Sequence, residues 1–155
     1  MTLSELLKSE LIFVKTPCAS SSKEELIHNL VERVYQTGRE FPLSRQEMLN
    51  TIYKREQIGG TLLPSGLSVP HARLRDFDDF ILALGTPAEA LFHEGLQIRL
   101  MALMITSQSG GPRYLPVLAA LTKISRDGVY FSRLCGAEDP EAFLRILGER
   151  DPELV

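Results

Sequence analysis

Apolar positions recur along the chain with two periods. Leu26, Ile27, Leu30, Val31 and Val34 fall on one stripe at helical spacing. Ser22-Lys23-Glu24-Glu25 precedes them as a capping box, in which the Ser22 hydroxyl takes the N3 amide and Glu25 reaches back. Gly38 can end that helix in a left-handed conformation. Ser44-Arg45-Gln46-Glu47 repeats the start signal, and a second helix runs to about Gln57 with Met48, Leu49, Ile52 and Tyr53 on its apolar face, stopped by Gly59-Gly60. Upstream, Thr2–Leu7 reads as a short helix and Leu11–Val14 as a short strand.

Asp79–Thr86 and Ile98–Thr106 read as strands. The second is apolar nearly throughout, as expected of a strand covered on both faces. Three helices follow. The first holds Pro116 in its first turn, where the missing amide costs nothing, and runs to about Arg126 with Leu118, Leu121, Thr122 and Ile124 available for the core. The second covers about Val129–Leu134. The third opens on Asp139-Pro140 and turns Phe143, Leu144 and Leu147 inward. Helices alternating with apolar strands predict an α/β fold, a three-layer-like sandwich of a mixed β-sheet flanked by helices. The length of 155 residues fits a single domain over 1–155.

Charge and composition then narrow the function. The net charge is -3 and the basic residues are scattered, which argues against a nucleic-acid surface. No apolar run approaches the roughly 20 residues that a membrane span takes, and the N-terminus lacks a basic n-region followed by an apolar run. The two cysteines, Cys18 and Cys135, have no metal or redox spacing and read as reduced thiols of a cytoplasmic protein. There is no HExxH, GxSxG, P-loop or GxGxxG pattern, so no metal and no cofactor is expected.

Of three histidines, His28 reads as a helix residue and His93 as a loop or strand-edge residue before the Glu94-Gly95 turn. His71 differs in its approach. Leu63 to Gly66 fits a type I turn, Leu67-Ser68-Val69 is extended, and Pro70 fixes the backbone, which puts His71 at or just past a strand end. A rigid approach holds an imidazole in one place, and neutral imidazole is available near its ordinary pKa of about 6.5. Spacing alone favours a satisfied structural histidine over a functional one.

At these residues the chain resembles the mannitol/fructose-type (type 2) enzyme IIA domain of the bacterial phosphoenolpyruvate-dependent sugar phosphotransferase system, a group that includes the nitrogen-regulatory branch. The resemblance rests on Ser22-Lys23-Glu24-Glu25, Arg55-Glu56, Thr61, Gly66-Leu67-Ser68-Val69-Pro70-His71-Ala72 and the helix at Leu115–Ala119. It extends from about Leu3 to Leu147. It implies that His71 accepts a phosphoryl group from an HPr-like phosphocarrier protein, with Arg55, Thr61 and the residue at position 114 supporting it. It also implies a IIB domain or a regulatory target as downstream partner. With no IIB or transmembrane IIC part within these 155 residues, a regulatory role is expected over direct sugar transport.

Two positions depart from the family pattern. Gly60 stands where the family carries a serine, and Tyr114 stands where it carries a second histidine. The second departure keeps another function open, a IIA-like regulatory binding module with little or no phosphorylation. Leu62, Leu63, Leu67 and Val69 around the histidine, followed by Asp76, Asp78 and Asp79, suggest an apolar patch with an acidic rim facing a basic partner.

Overall fold

The computed structural model describes residues 1–155. Its centre is a five-stranded mixed sheet. Strand β4 (Phe80–Pro87) pairs antiparallel with β7 (Leu100–Ser107), and β1 (Ile12–Thr16) pairs parallel with β4. On the far side of β7 lie β2 (Leu67–Ser68) and β3 (His71–Leu74), both parallel to it, in register Leu67 with Leu100 and His71 with Met104. Leu100–Ile105 are fully buried at the centre of the sheet, as the unbroken apolar run requires.

Helices cover both faces. Helices α2 (Lys23–Gln36) and α3 (Arg45–Ile58) pack on one face over Ala72, Leu74, Ala83, Met101, Leu103 and Ile105. Helix α1 (Leu3–Leu6) joins α4 (Tyr114–Ser125), α5 (Gly128–Cys135) and α6 (Pro140–Gly148) on the other face. There they cover the alternate strand positions, Leu67, Val69, Leu82, Leu84, Ala102 and Met104. Strand alternation therefore builds two cores on one sheet. The expected three-layer α/β architecture holds.

Local signals explain most element ends. The Ser44–Glu47 capping box is complete, with the Glu47 amide donating to the Ser44 hydroxyl and the Ser44 amide donating to the Glu47 carboxylate. At α2 only half of the expected box forms. Ser22 Oγ accepts the Glu25 amide, but the Glu25 carboxylate accepts the amides of Ala19 and Ser20 instead. The chain turns at Ser21 (φ 50°), which brings those upstream amides within reach. Pro116 is the third residue of α4, still among the amides that have no intrahelical acceptor.

A small hairpin, β5 (Leu91–His93) with β6 (Leu96–Ile98), stands off the main sheet. Its two-residue turn has Glu94 and Gly95 both at positive φ, 50° and 83°, which matches the right-handed twist of the paired strands.

Candidate functional site

His71 sits at a strand end, as expected, but it is the start of β3 and not the finish of the preceding extended segment. Eight-residue β7 extends beyond the break at Pro70, so the chain pairs with it again: the Met104 amide donates to the Pro70 carbonyl at 3.0 Å. The approach is tied down as the turn chemistry predicts. The Gly66 amide donates to the Leu63 carbonyl at 2.9 Å, the Leu63 amide to Leu67 at 2.8 Å and the Val69 amide to Thr61 at 3.1 Å. Gly66 sits at φ 98°, and a Cβ there would meet the Arg99 side chain at 2.8 Å and the Gln97 carbonyl at 3.0 Å, so glycine is required on both counts.

His71 is 7% exposed. Its Nδ1 lies 3.4 Å from the Val69 carbonyl, a long contact. A carbonyl only accepts, so this contact favours the tautomer with hydrogen on Nδ1 and a lone pair on Nε2. Burial is the main cause that pushes the His71 pKa below its ordinary value. The Val69 contact and Glu56 oppose that shift, and the charges of Arg55 and Arg73 add to it. The ring is therefore neutral at pH 7.

Tyr114, at the first position of α4, packs beside it with ring centroids 5.6 Å apart and planes tilted by 59°. Arg55, in the last turn of α3, donates from a terminal guanidinium nitrogen to the Gly59 carbonyl at 3.0 Å and pairs with no carboxylate. Thr61 is close but differently employed. Its hydroxyl donates to Glu56 Oε2 at 2.8 Å, so that proton is unavailable to an anion at His71. The other Glu56 oxygen faces the Lys23 ammonium at 3.2 Å, off the hydrogen-bonding direction but in ion-pair range, with both side chains buried. His28 is exposed on α2, and His93 lies on the β5–β6 hairpin with Nε2 3.6 Å from Glu94. His93 shares a cavity with Lys23 and Glu56, and neither histidine contacts the His71 ring.

The expected apolar patch is not a surface. Leu67 and Val69 belong to the core beneath α4, and Leu62 and Leu63 are half-buried against the two cores. They point inward because β2 alternates toward a covered face. The exposed large apolar side chains on the elements that carry the site are Ile58, 83% exposed at the end of α3, and Leu115, 68% exposed at the start of α4.

Residues 5–150 match the family described as "Phosphoenolpyruvate-dependent sugar phosphotransferase system, EIIA 2". The chain belongs to this type 2 enzyme IIA family. A curated IIA-containing relative, the 2-O-alpha-mannosyl-D-glycerate-specific EIIABC component of Escherichia coli K12, is 30% identical over 135 residues; these are 84% of this chain and 20% of that protein, so the chain spans about a fifth of it. The nitrogen regulatory protein of Bradyrhizobium diazoefficiens is 21% identical over 82% of this chain and 83% of its own length. Among solved structures, the nitrogen regulatory protein IIA-Ntr of Neisseria meningitidis superposes with a TM-score of 0.78 at 20% identity, covering 94% of this chain and 98% of that one. Mannitol IIA of Escherichia coli gives 0.73 at 22% identity, with 91% and 98% covered. These likenesses establish that the IIA fold is shared.

Two charged residues around His71 and Glu56 escape a reading of the sequence. Lys23 looks like a solvated member of a capping segment, yet it is 4% exposed. Arg73 is two residues from His71, and the period-2 alternation of an extended segment would have put both on one side.

Proposed function

We propose that this chain is a phosphocarrier in which His71 accepts a phosphoryl group from an HPr-like carrier protein and serves a regulatory role in the cytoplasm. The observation that carries this reading is the state of the imidazole: neutral, with Nδ1 against the Val69 carbonyl and Nε2 without a protein partner, beside two arginines that pair with no carboxylate. Nε2 attacks phosphorus in line as the P–N bond of the donor's phosphohistidine breaks, and the electron pair of that bond returns to the donor ring. The Nδ1 hydrogen stays toward Val69. Arg55 supplies charge to the transferring oxygens from a fixed planar fork. The chain has no helix long and apolar enough to cross a membrane.

The regulatory role draws on the likeness to nitrogen regulatory proteins. A IIB domain is the other candidate recipient; mannitol IIA of Escherichia coli, which shares the fold, has been solved in complex with phosphorylated IIB. Tyr114 favours a second reading, a IIA-like module that signals by contact alone, because no second imidazole adjoins His71.

Incubation with enzyme I, HPr and labelled phosphoenolpyruvate tests the two readings. Label on the wild-type chain and none on His71→Ala is the expected result. Label that survives His71→Ala overturns the assignment of the nucleophile. An unlabelled wild-type chain beside a verified donor leaves the binding-module reading.

A further inference from the structure

We propose that Arg73 is a second phosphate-binding cation of this site, seated on the ring of Tyr114 so that its guanidinium edge meets a phosphoryl dianion at His71. The proposal deepens the phosphoacceptor reading and rests on it. The order of the three side chains is its basis. The guanidinium carbon of Arg73 lies 5.1 Å from the centroid of Tyr114, and that ring lies 5.6 Å from the ring of His71. His71 and Arg73 fall on one side of β3 by alternation, while Ala72 and Leu74 enter the core beneath α2 and α3.

The other ring-stacked arginines differ from Arg73 in their partners. Arg39, Arg45 and Arg150 each lie over a ring and also pair with a carboxylate, Asp79, Glu32 and Asp127 respectively. Arg73 and Arg33 have the ring without the carboxylate. Of these two, Arg73 is the one whose charge acts on His71. A guanidinium on a ring face is oriented through its plane and keeps its edge N–H donors free, the geometry that an oxyanion needs.

The charges agree with this role. Glu56 is balanced by Lys23, which leaves Arg55 and Arg73 as two uncommitted positive charges facing a phosphoryl group of about two negative charges. Tyr114 is then a positioning residue. Its aromatic face attracts the cation and remains neutral, whereas a protonated histidine there would repel Arg73.

The test uses the full chain in two assays. Inorganic phosphate is titrated against the unphosphorylated protein, read by NMR at the His71 ring and the arginine side-chain N–H groups. Arg73→Gln should weaken phosphate binding about tenfold, the scale of one charge-assisted hydrogen bond. Arg73→Lys should recover part of that loss. Tyr114→Ala should weaken binding comparably, and Tyr114→Phe, which keeps the ring face, should stay within about twofold of wild type. In the second assay, Arg73→Gln should slow labelling from HPr about tenfold with an unchanged thermal midpoint.

Equal phosphate binding by wild type and Arg73→Gln overturns the proposal, as does a wild-type His71 ring that does not respond to phosphate. Tyr114→Phe behaving like Tyr114→Ala overturns the ring seat. Arg73-dependent phosphate binding without any labelling from HPr would leave the anion site standing and remove the phosphocarrier reading. Labelling that is indifferent to Arg73, with phosphate binding equally indifferent, would do the reverse.

Discussion

The ammonium of Lys23, first residue of α2, faces Glu56 Oε1 in the last turn of α3 at 3.2 Å, with side chains 5% and 6% exposed. Each charge sits at the helix end that disfavours it, because a cation is repelled by an N-terminal dipole and an anion by a C-terminal one. They are therefore stabilised by each other and by Thr61, not by their own helices. Lys23→Met should destabilise the fold by about 3–5 kcal/mol, since it strands a buried carboxylate. Lys23→Met with Glu56→Leu should recover most of that loss. Urea denaturation of both variants measures it, and additive losses in the double variant would show that the pair is uncoupled.

The depressed pKa of His71 predicts a pH dependence of definite sign. Above the unfolded-state value of about 6.5, the ring is neutral in both states and costs nothing. As the pH falls below that value the unfolded chain binds the proton first, so stability drops until the pH passes the lower folded-state value. Burial is the main cause, with Arg55 and Arg73 adding and Val69 and Glu56 opposing. On acidification the wild type should therefore lose stability relative to His71→Asn, because only the wild type loses this increment. Parallel curves across that range would contradict the assignment.

Arg55→Gln separates charge from capping. The side chain donates to the Gly59 carbonyl at the end of α3, so its loss should cost about 0.5–1.5 kcal/mol of stability. Labelling of His71 by HPr should slow by about tenfold or more, because a charge-assisted contact to the transferring group is lost as well. Arg55→Lys keeps the charge but not the fork and should fall between. Stopped-flow or quenched labelling beside a thermal melt distinguishes the two effects.

The sheet centre should tolerate truncation least. Leu103→Ala, fully buried on β7, should cost about 2–5 kcal/mol. Leu96→Ala, 39% exposed on the β5–β6 hairpin, should change stability by about 0.5 kcal/mol or less. Chemical denaturation of the two variants compares them directly.

The chain's architecture is legible where one residue type forces one geometry. Leu100–Ile105 allow little besides a strand covered on both faces, and Ser44 with Glu47 can close its capping box within four residues. Side-chain contacts around His71 are less legible than the architecture. Thr61 gives its hydroxyl to Glu56, and Glu25 turns to Ala19 and Ser20, because side-chain partners are chosen by the folded surroundings. The apolar patch fails for a related reason. Hydrophobicity says that Leu67 and Val69 seek cover, and α4 supplies it from far along the chain. Lys23 is the hardest residue to foresee, since only the folded pairing with Glu56 makes its burial tolerable.

The broken edge at Pro70 decides how any partner can read this molecule. The outer backbone of β2 is already taken by Thr61 and Leu63, and Pro70 has no N–H to offer. At the opposite edge, Lys15 at φ 53° and the register shift between Phe13 and Thr16 disrupt β1. Along β2 and β1 the borders of the sheet are blunted, which disfavours recruitment by adding a strand there. On the proposed phosphocarrier reading, a message held as charge on side chains is erased by removing the phosphoryl group, without unpicking any backbone.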